Sequence, residues 1–229
     1  SGNVMTGFPT VWFYRYMSVN TEYVVISNKK LDYRFEAYAH HDVDGNILPY
    51  IYLSAYNGSL SDYDSATGVS TGKLRSISGV EGNDLEVVVN NKILTYVGRG
   101  SEINFALRNN DAGELGEGWY ILPKAEWDMV NDLLVLISGT TNTQTAFGTG
   151  VKSGYVSKTN KGIKITGLYD DKGLFYGKNT QTDPVKVFGI ENWWGNVLNS
   201  LAGYIIDKGT QKVKMTHGTE DGSTVTGFN

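Results

Sequence analysis

The chain contains no cysteine. That excludes disulfides, thiolate zinc sites, Cys-x-x-Cys redox chemistry and cysteine nucleophiles together, and leaves the compartment open. It also lacks an excess of positive charge. Its 20 basic and 24 acidic residues give a net charge of -4 and are interspersed, so there is no electrostatic footprint for nucleic acid or an anionic membrane. Nucleic acid is not an expected partner. No apolar run approaches the roughly 20 residues that span a bilayer, so membrane insertion is not expected either. Ser1-Gly2-Asn3 reads as the start of a domain cut from a longer protein rather than a signal peptide, and Gly222 to Asn229 reads as a cut at the other end.

What is present is a chain of 229 residues, 40% hydrophobic and 12% aromatic, enough for one sizeable core, so a single domain over 1–229 is expected. Its 28 glycines and 15 tyrosines imply many turns and many amphipathic rings, a combination common in recognition surfaces. The plainer account of any one Tyr is a half-buried strand position.

The first hundred residues read as strands and turns. Val11 to Tyr16 and Glu22 to Ser27 are rich in aromatic and β-branched residues, and Asp44-Gly45-Asn46 supplies a turn before Tyr50-Ile51-Tyr52-Leu53, whose alternation suits a two-faced strand with Pro49 at its start. Leu85 to Val89 and Lys92 to Val97 flank Asn90-Asn91 as an expected hairpin, an insertion around 81–98. The middle is helical. Ser101 is placed to cap a short helix with Ile103, Ala106 and Leu107 on its apolar side, ending near Asn109-Asn110. A second helix begins at Pro123 and ends at Gly139. Its Glu126 and Asp128 suit the positive N-terminal end, and Trp127, Val130, Leu134 and Ile137 form its stripe, with Leu133 and Leu136 beside it. Beyond Thr140 short segments lie between glycines, with strands expected at Ile163 to Ile165, Val185 to Phe188, Tyr204 to Ile206 and Lys212 to Met215. The expected class is α+β: two helices packed on short, mainly antiparallel strands, with a loop-rich second half.

The most informative stretch is Val187-Phe188-Gly189-Ile190-Glu191-Asn192-Trp193-Trp194-Gly195-Asn196. Two adjacent indoles bracketed by Gly and Asn suggest a loop-rich core, where Gly permits unusual backbone angles and Asn amides satisfy backbone groups that no sheet pairs. Trp119, Trp127, Trp193 and Trp194 are assigned to that core.

The order Phe8-Pro9, Trp12-Phe13-Tyr14, Tyr23 to Ser27, Asp44-Gly45-Asn46, Tyr50 to Tyr56, Lys73 to Val80, Gly118-Trp119-Tyr120, the second helix, Asn142-Thr143-Gln144, Phe147 to Gly150 and Phe188 to Asn196 resembles tailed-phage structural proteins, over most of the chain from Val4 to about Ile206. These are similar to the C-type lectin fold in its formylglycine-generating-enzyme-like form, used by tail fibres, receptor-binding proteins and the variable proteins of diversity-generating retroelements. The resemblance implies a C-type-lectin-like fold, a virion location, adhesion to a bacterial surface glycan or protein, and a homo-oligomer in the parent protein. The departures matter. The enzyme branch holds copper with cysteine thiols, which are absent. The calcium-dependent lectins use Glu-Pro-Asn or Gln-Pro-Asp followed by Trp-Asn-Asp, and neither occurs. A variable Asn/Tyr cassette near the C-terminus is not recognisable.

Other chemistry fits poorly. His40-His41 with Asp42 and Asp44 could ligate a metal, but the spacing completes no calcium loop and the Asp-Gly-Asn is explained as a turn. Gly148 to Ser153 departs from a phosphate loop at Val151, which stands where a Gly must precede Lys152. His217 is isolated, and Asp170-Asp171 and Glu220-Asp221 read as solvated turns rather than a glycosidase pair. No catalytic group, metal site or cofactor is expected. The expected ligand-facing residues come from the Gly-rich second half: Tyr155, Tyr169, Tyr176, Lys178, Asn179, Asn199 and Tyr204, as aromatic faces stack on sugar or peptide while amides and ammonium groups hydrogen-bond. Alternatives that the sequence leaves open are a structural virion decoration without receptor binding, a carbohydrate-active enzyme, and a bacterial surface adhesin.

Overall fold

A computed structural model describes residues 3–42, 44–67, 69–70, 73–83, 85, 87–95, 97, 99–111, 119–152 and 162–213. The class is α+β. Strand β1 (Met5–Pro9) pairs antiparallel with β4 (Tyr50–Ser54), Phe8 opposite Ile51. As the alternation requires, Ile51 and Leu53 are buried while Tyr50 and Tyr52 face out. Strands β2 (Trp12–Ser18) and β3 (Thr21–Ser27) form a hairpin closed by Val19 and Asn20, with Val19 at φ 56°. Four short strands complete the first half and the segment after it: β5 (Tyr63–Asp64) with β6 (Val69–Ser70), and β7 (Lys186–Val187) with β8 (Ile190–Glu191). The last hairpin joins β9 (Tyr204–Asp207) to β10 (Thr210–Val213). Phe188 and Gly189, and Lys208 and Gly209, all have positive φ, the signature of the two-residue turn whose twist matches its strands.

The helices are α1 (Arg99–Asp111), α2 (Lys124–Ser138) and a short α3 (Thr143–Phe147). Helix α1 starts before Ser101, which lies inside it rather than at its cap. Helix α2 is bounded as its sequence dictates: Pro123 precedes it, and Gly139, at φ 66°, turns its N–H back to the Val135 carbonyl. Its buried face is rotated from the expected stripe. Ala125, Glu126, Met129, Val130 and Leu134 are buried, whereas Leu136 and Ile137 are exposed. No described helix is long and apolar enough to cross a membrane.

The core joins three layers of sequence: the inner face of β1 and β4, the buried face of α2, and Val185 to Trp194. Trp193 and Trp194 are buried there, as expected. Trp127 is half-buried and stacks on Trp193 at 4.4 Å, while Trp119 is half-buried and lies outside this cluster. Phe188 packs edge-on against both Phe8 and Phe175. Helix α2 is tied to β2 through Asp132, which accepts from Arg15 and, at 3.1 Å, from the Tyr38 hydroxyl.

Two expected strands are used otherwise. Ile163 to Ile165 forms no strand, and its Lys164 N–H donates instead to Asn196 Oδ1 at 2.7 Å. Asn90 and Asn91 do turn the chain, but Lys92 bridges to Glu81 and Ile93 to Ser59, and Ile93 is buried.

Candidate functional site

The Trp-Trp segment is built from backbone that side chains complete. Asn192, Gly195 and Asn196 all have positive φ. A Cβ on Gly195 would lie 2.7 Å from Val151 N, and one on Gly150 would lie 2.6 Å from Trp194 O, so these two loops touch only because both residues are Gly. The Trp194 indole N–H donates to Gly148 O at 2.9 Å. Asn57 Oδ1 accepts from Asn192 Nδ2 at 3.1 Å and Asn196 Nδ2 at 3.3 Å, joining this segment to the end of β4. Gly148 to Lys152 is thus a packing loop, as its departure from a phosphate loop implies.

Beside it lies a loop platform. The buried Glu191 carboxylate accepts the backbone N–H groups of Gly167 and Tyr169, each at 2.8 Å, and fixes where the 167–183 loop begins. Burial raises its pKa, and those two bonds oppose the rise. Asp183 gathers the loop's far end: it accepts from the Thr180 hydroxyl at 2.5 Å, the Tyr169 hydroxyl at 3.3 Å and Lys178 Nζ at 3.4 Å. The Thr180 bond leads in holding its carboxyl below the ordinary value. Thr149 N–H donates to Lys178 O, and Gln181 N–H to Thr149 Oγ1, locking the platform to the glycine loop.

Of the seven expected ligand residues, four come together here. Tyr169 is buried and packs edge-on with the half-buried Tyr176 at 4.7 Å; burial, with Asp183 beside it, pushes its hydroxyl up to about 12. Tyr169 therefore supports the platform, a correction to its expected ligand-facing role. Lys178 and Asn179 are exposed, but the Asn179 amide is already spent on the Thr145 carbonyl of α3 at 3.3 Å. Tyr176 and Lys178 are what the platform offers. Asn199 and Tyr204 are elsewhere: Asn199 is on the wall of a groove, and Tyr204 is half-buried on β9 with Lys124 Nζ 5.8 Å from its ring centroid. Tyr155, His217 and Glu220-Asp221 lie outside the described residues.

Sequence reasoning missed that groove. It is a half-open groove of about 1130 Å³ between β4, α1, the first turn of α2 and residues 190–200. Trp119 and Tyr120 line it, and so does Glu126. Glu126 is 3% exposed, and its Oε1 accepts the Tyr120 hydroxyl at 2.8 Å. Burial pushes its carboxyl up to about 8, opposed by that one hydrogen bond. Expected only as a favourable charge at the N-terminal end of α2, it is a buried acid in the groove wall. The available signal was its spacing: Glu126, Val130 and Leu134 recur every four residues on one face.

Asp42 accepts the N–H groups of Asp44 and Asn46 and makes the expected turn, while His40 is fully buried with Nε2 3.4 Å from Phe8 O. Asp170 is engaged by the Tyr56 and Ser78 hydroxyls, and Asp171 by Lys172. Among the described residues, no three His, Asp or Glu side chains gather where they could hold a metal ion. Compared with models of known families, with curated proteins and with solved structures, the chain matches none.

Proposed function

We propose that this chain is a ligand-binding module of C-type-lectin-like fold, carried on a tailed-phage virion as the receptor-binding part of a tail fibre or appendage and adhering to a bacterial surface glycan or protein. The observation that carries the reading is the platform. Its loop is held at both ends by buried or multiply bonded carboxylates, Glu191 and Asp183, yet it leaves the Tyr176 ring half-exposed, with Lys172 Nζ 5.4 Å from its centroid, and the Lys178 side chain exposed beside Asp183. A rigid loop displaying an aromatic face and a hydrogen-bonding cation loses little entropy on binding, which is how paratope surfaces work. The C-type-lectin-like assignment is supported by the resemblance in motif order and by helices packed with short antiparallel ladders beneath a loop-rich second half. Several copies on one particle turn weak contacts into firm attachment, so copy number governs adhesion.

The test is binding of a fluorescent, artificially multimerised domain to a panel of bacterial strains, with a Tyr176→Ala, Lys178→Ala variant and a Trp194→Ala unfolded control. Strain-selective binding that falls at least tenfold in the folded double variant supports adhesion. A folded multimer that binds no strain overturns it.

A structural role in the virion is the second reading, favoured by one observation. The β2–β3 hairpin exposes Tyr16, Tyr23 and Val25 on one face, an apolar patch suited to a subunit contact. It predicts assembly without cell binding.

A further inference from the structure

The groove beside Glu126 carries a second inference, because none of Tyr169, Tyr176, Lys178, Asn179 or Asp183 lines it. Its volume of about 1130 Å³ lies just above the usual range of small-molecule sites. Its charge is one-sided. Asp42, Asp44, Glu102, Glu126 and Glu191 line it, no lysine or arginine does, and His41 is the one lining side chain able to carry positive charge among the described residues. Acidic residues alone would make only a solvated surface, but two further residues of the lining are buried polar groups. Glu126 is buried with a tyrosine hydroxyl, not a cation, as its partner. Asn192, 1% exposed and also lining the groove, has an Oδ1 with no partner, while its Nδ2 is committed to Asn57. An unmet buried acceptor costs about 1–3 kcal/mol, and here the amide cannot turn to hide it without giving up Asn57. The lining of the groove therefore combines acidic side chains and a buried, unpartnered acceptor with aromatic walls from Trp119 and Tyr120.

We propose that this groove binds a small organic cation, a protonated amine on an apolar body, with the ammonium donating to Glu126 and Asn192 and the body against the Trp119 and Tyr120 rings. A cation satisfies the orphan acceptor, favours the ionised form of Glu126 that burial otherwise holds protonated, and gains from the aromatic faces. An isosteric anion meets only like charge.

Three probes of one shape isolate charge: phenethylamine, 2-phenylethanol and phenylacetate. Binding is followed by saturation-transfer NMR and tryptophan fluorescence on the whole chain. The amine is expected to bind at least tenfold more tightly than the alcohol, with no binding of the acid. Glu126→Gln keeps an acceptor for Tyr120 but removes the group that ionises opposite the ammonium, and is expected to weaken the amine about tenfold while leaving the alcohol within twofold. Leu198→Arg is the second variant. Leu198 lines the groove at full exposure, so the substitution leaves folding intact and sets a like charge at the mouth, and the amine is expected to weaken several-fold. Binding of phenylacetate as tight as the amine overturns the proposal. So does amine binding indifferent to both variants, or no binding of any probe. Because the platform variant Tyr176→Ala, Lys178→Ala leaves the groove untouched, amine binding and cell adhesion fail separately.

Discussion

Glu126→Gln has a consequence for stability that follows from burial. In the unfolded chain the carboxyl titrates near its ordinary value of 4.5, and in the folded chain it is pushed up to about 8. Between those values the folded state binds the proton and the unfolded state does not, so stability falls as pH rises from 4.5 through 8. Each pH unit in that window costs about 1.4 kcal/mol. The protein therefore loses roughly 3–4 kcal/mol between pH 5 and pH 8 through this one group. Glutamine keeps an oxygen for the Tyr120 hydroxyl and has nothing to ionise. Urea unfolding followed by tryptophan fluorescence at pH 5, 6, 7 and 8 should show the variant close to wild type at pH 5 and roughly 3–4 kcal/mol more stable, relative to it, at pH 8. That corresponds to about 10 °C in midpoint for a chain of this size. Burial raises Glu191 and Asp132 in the same direction, but the difference between variant and wild type cancels them. Parallel stability curves for the two proteins would refute the reasoning, because they would mean that water reaches Glu126 in the folded chain.

Two further substitutions test the backbone. Val19 is a β-branched residue at φ 56° and almost wholly exposed, so Val19→Gly removes about 1–2 kcal/mol of steric cost against a smaller loss of chain entropy. A net gain of about 0.5–1 kcal/mol by chemical unfolding is expected, and a loss would show the turn to be unstrained. Asn192→Gly and Asn196→Gly form a pair, since both positions have positive φ and Gly suits each. Asn196 has its oxygen on Lys164 N and its amide on Asn57, whereas Asn192 has one bond and an orphan oxygen. The change at 196 should cost at least about 1 kcal/mol more than the change at 192, and equal or reversed losses would contradict the hydrogen-bond assignment.

Local rules reached far into this fold where one element decides its own shape. The alternation of Tyr50 to Leu53 placed the correct residues inside, and Pro123 and Gly139 marked the ends of α2. The Gly and Asn residues of the Trp-Trp segment occupy the positive-φ positions that their chemistry suits. Failures came where a distant partner decides. Ile163 to Ile165 alternates, but the Asn196 side chain takes the backbone donor that a sheet would use. Ile93 pairs with Ser59 across 34 positions, a choice that no local pattern announces. In α2, Met129 and Ala125 shift the buried face by a fraction of a turn, enough to expose Leu136 and Ile137 and to bury Glu126. The surface divided likewise: Tyr176, half-buried, and Lys178, exposed, do share one loop, while the groove was not legible, because four segments far apart in sequence make it.

The two asparagines flanking the indoles separate folding from binding in one short segment. Asn192 and Asn196 share a left-handed backbone and a common acceptor in Asn57. Folding accounts for Asn196 completely, since every polar atom of its side chain has a partner. It accounts for only half of Asn192, whose oxygen would be better replaced by nothing if stability were the sole demand. Glu126 presents the same excess, a buried acid where an apolar residue would complete the face of Met129, Val130 and Leu134. Both excess groups line one groove, and both are acceptors. Two polar groups that the fold does not need, both in the lining of one acidic groove, are what the proposed cation site would account for.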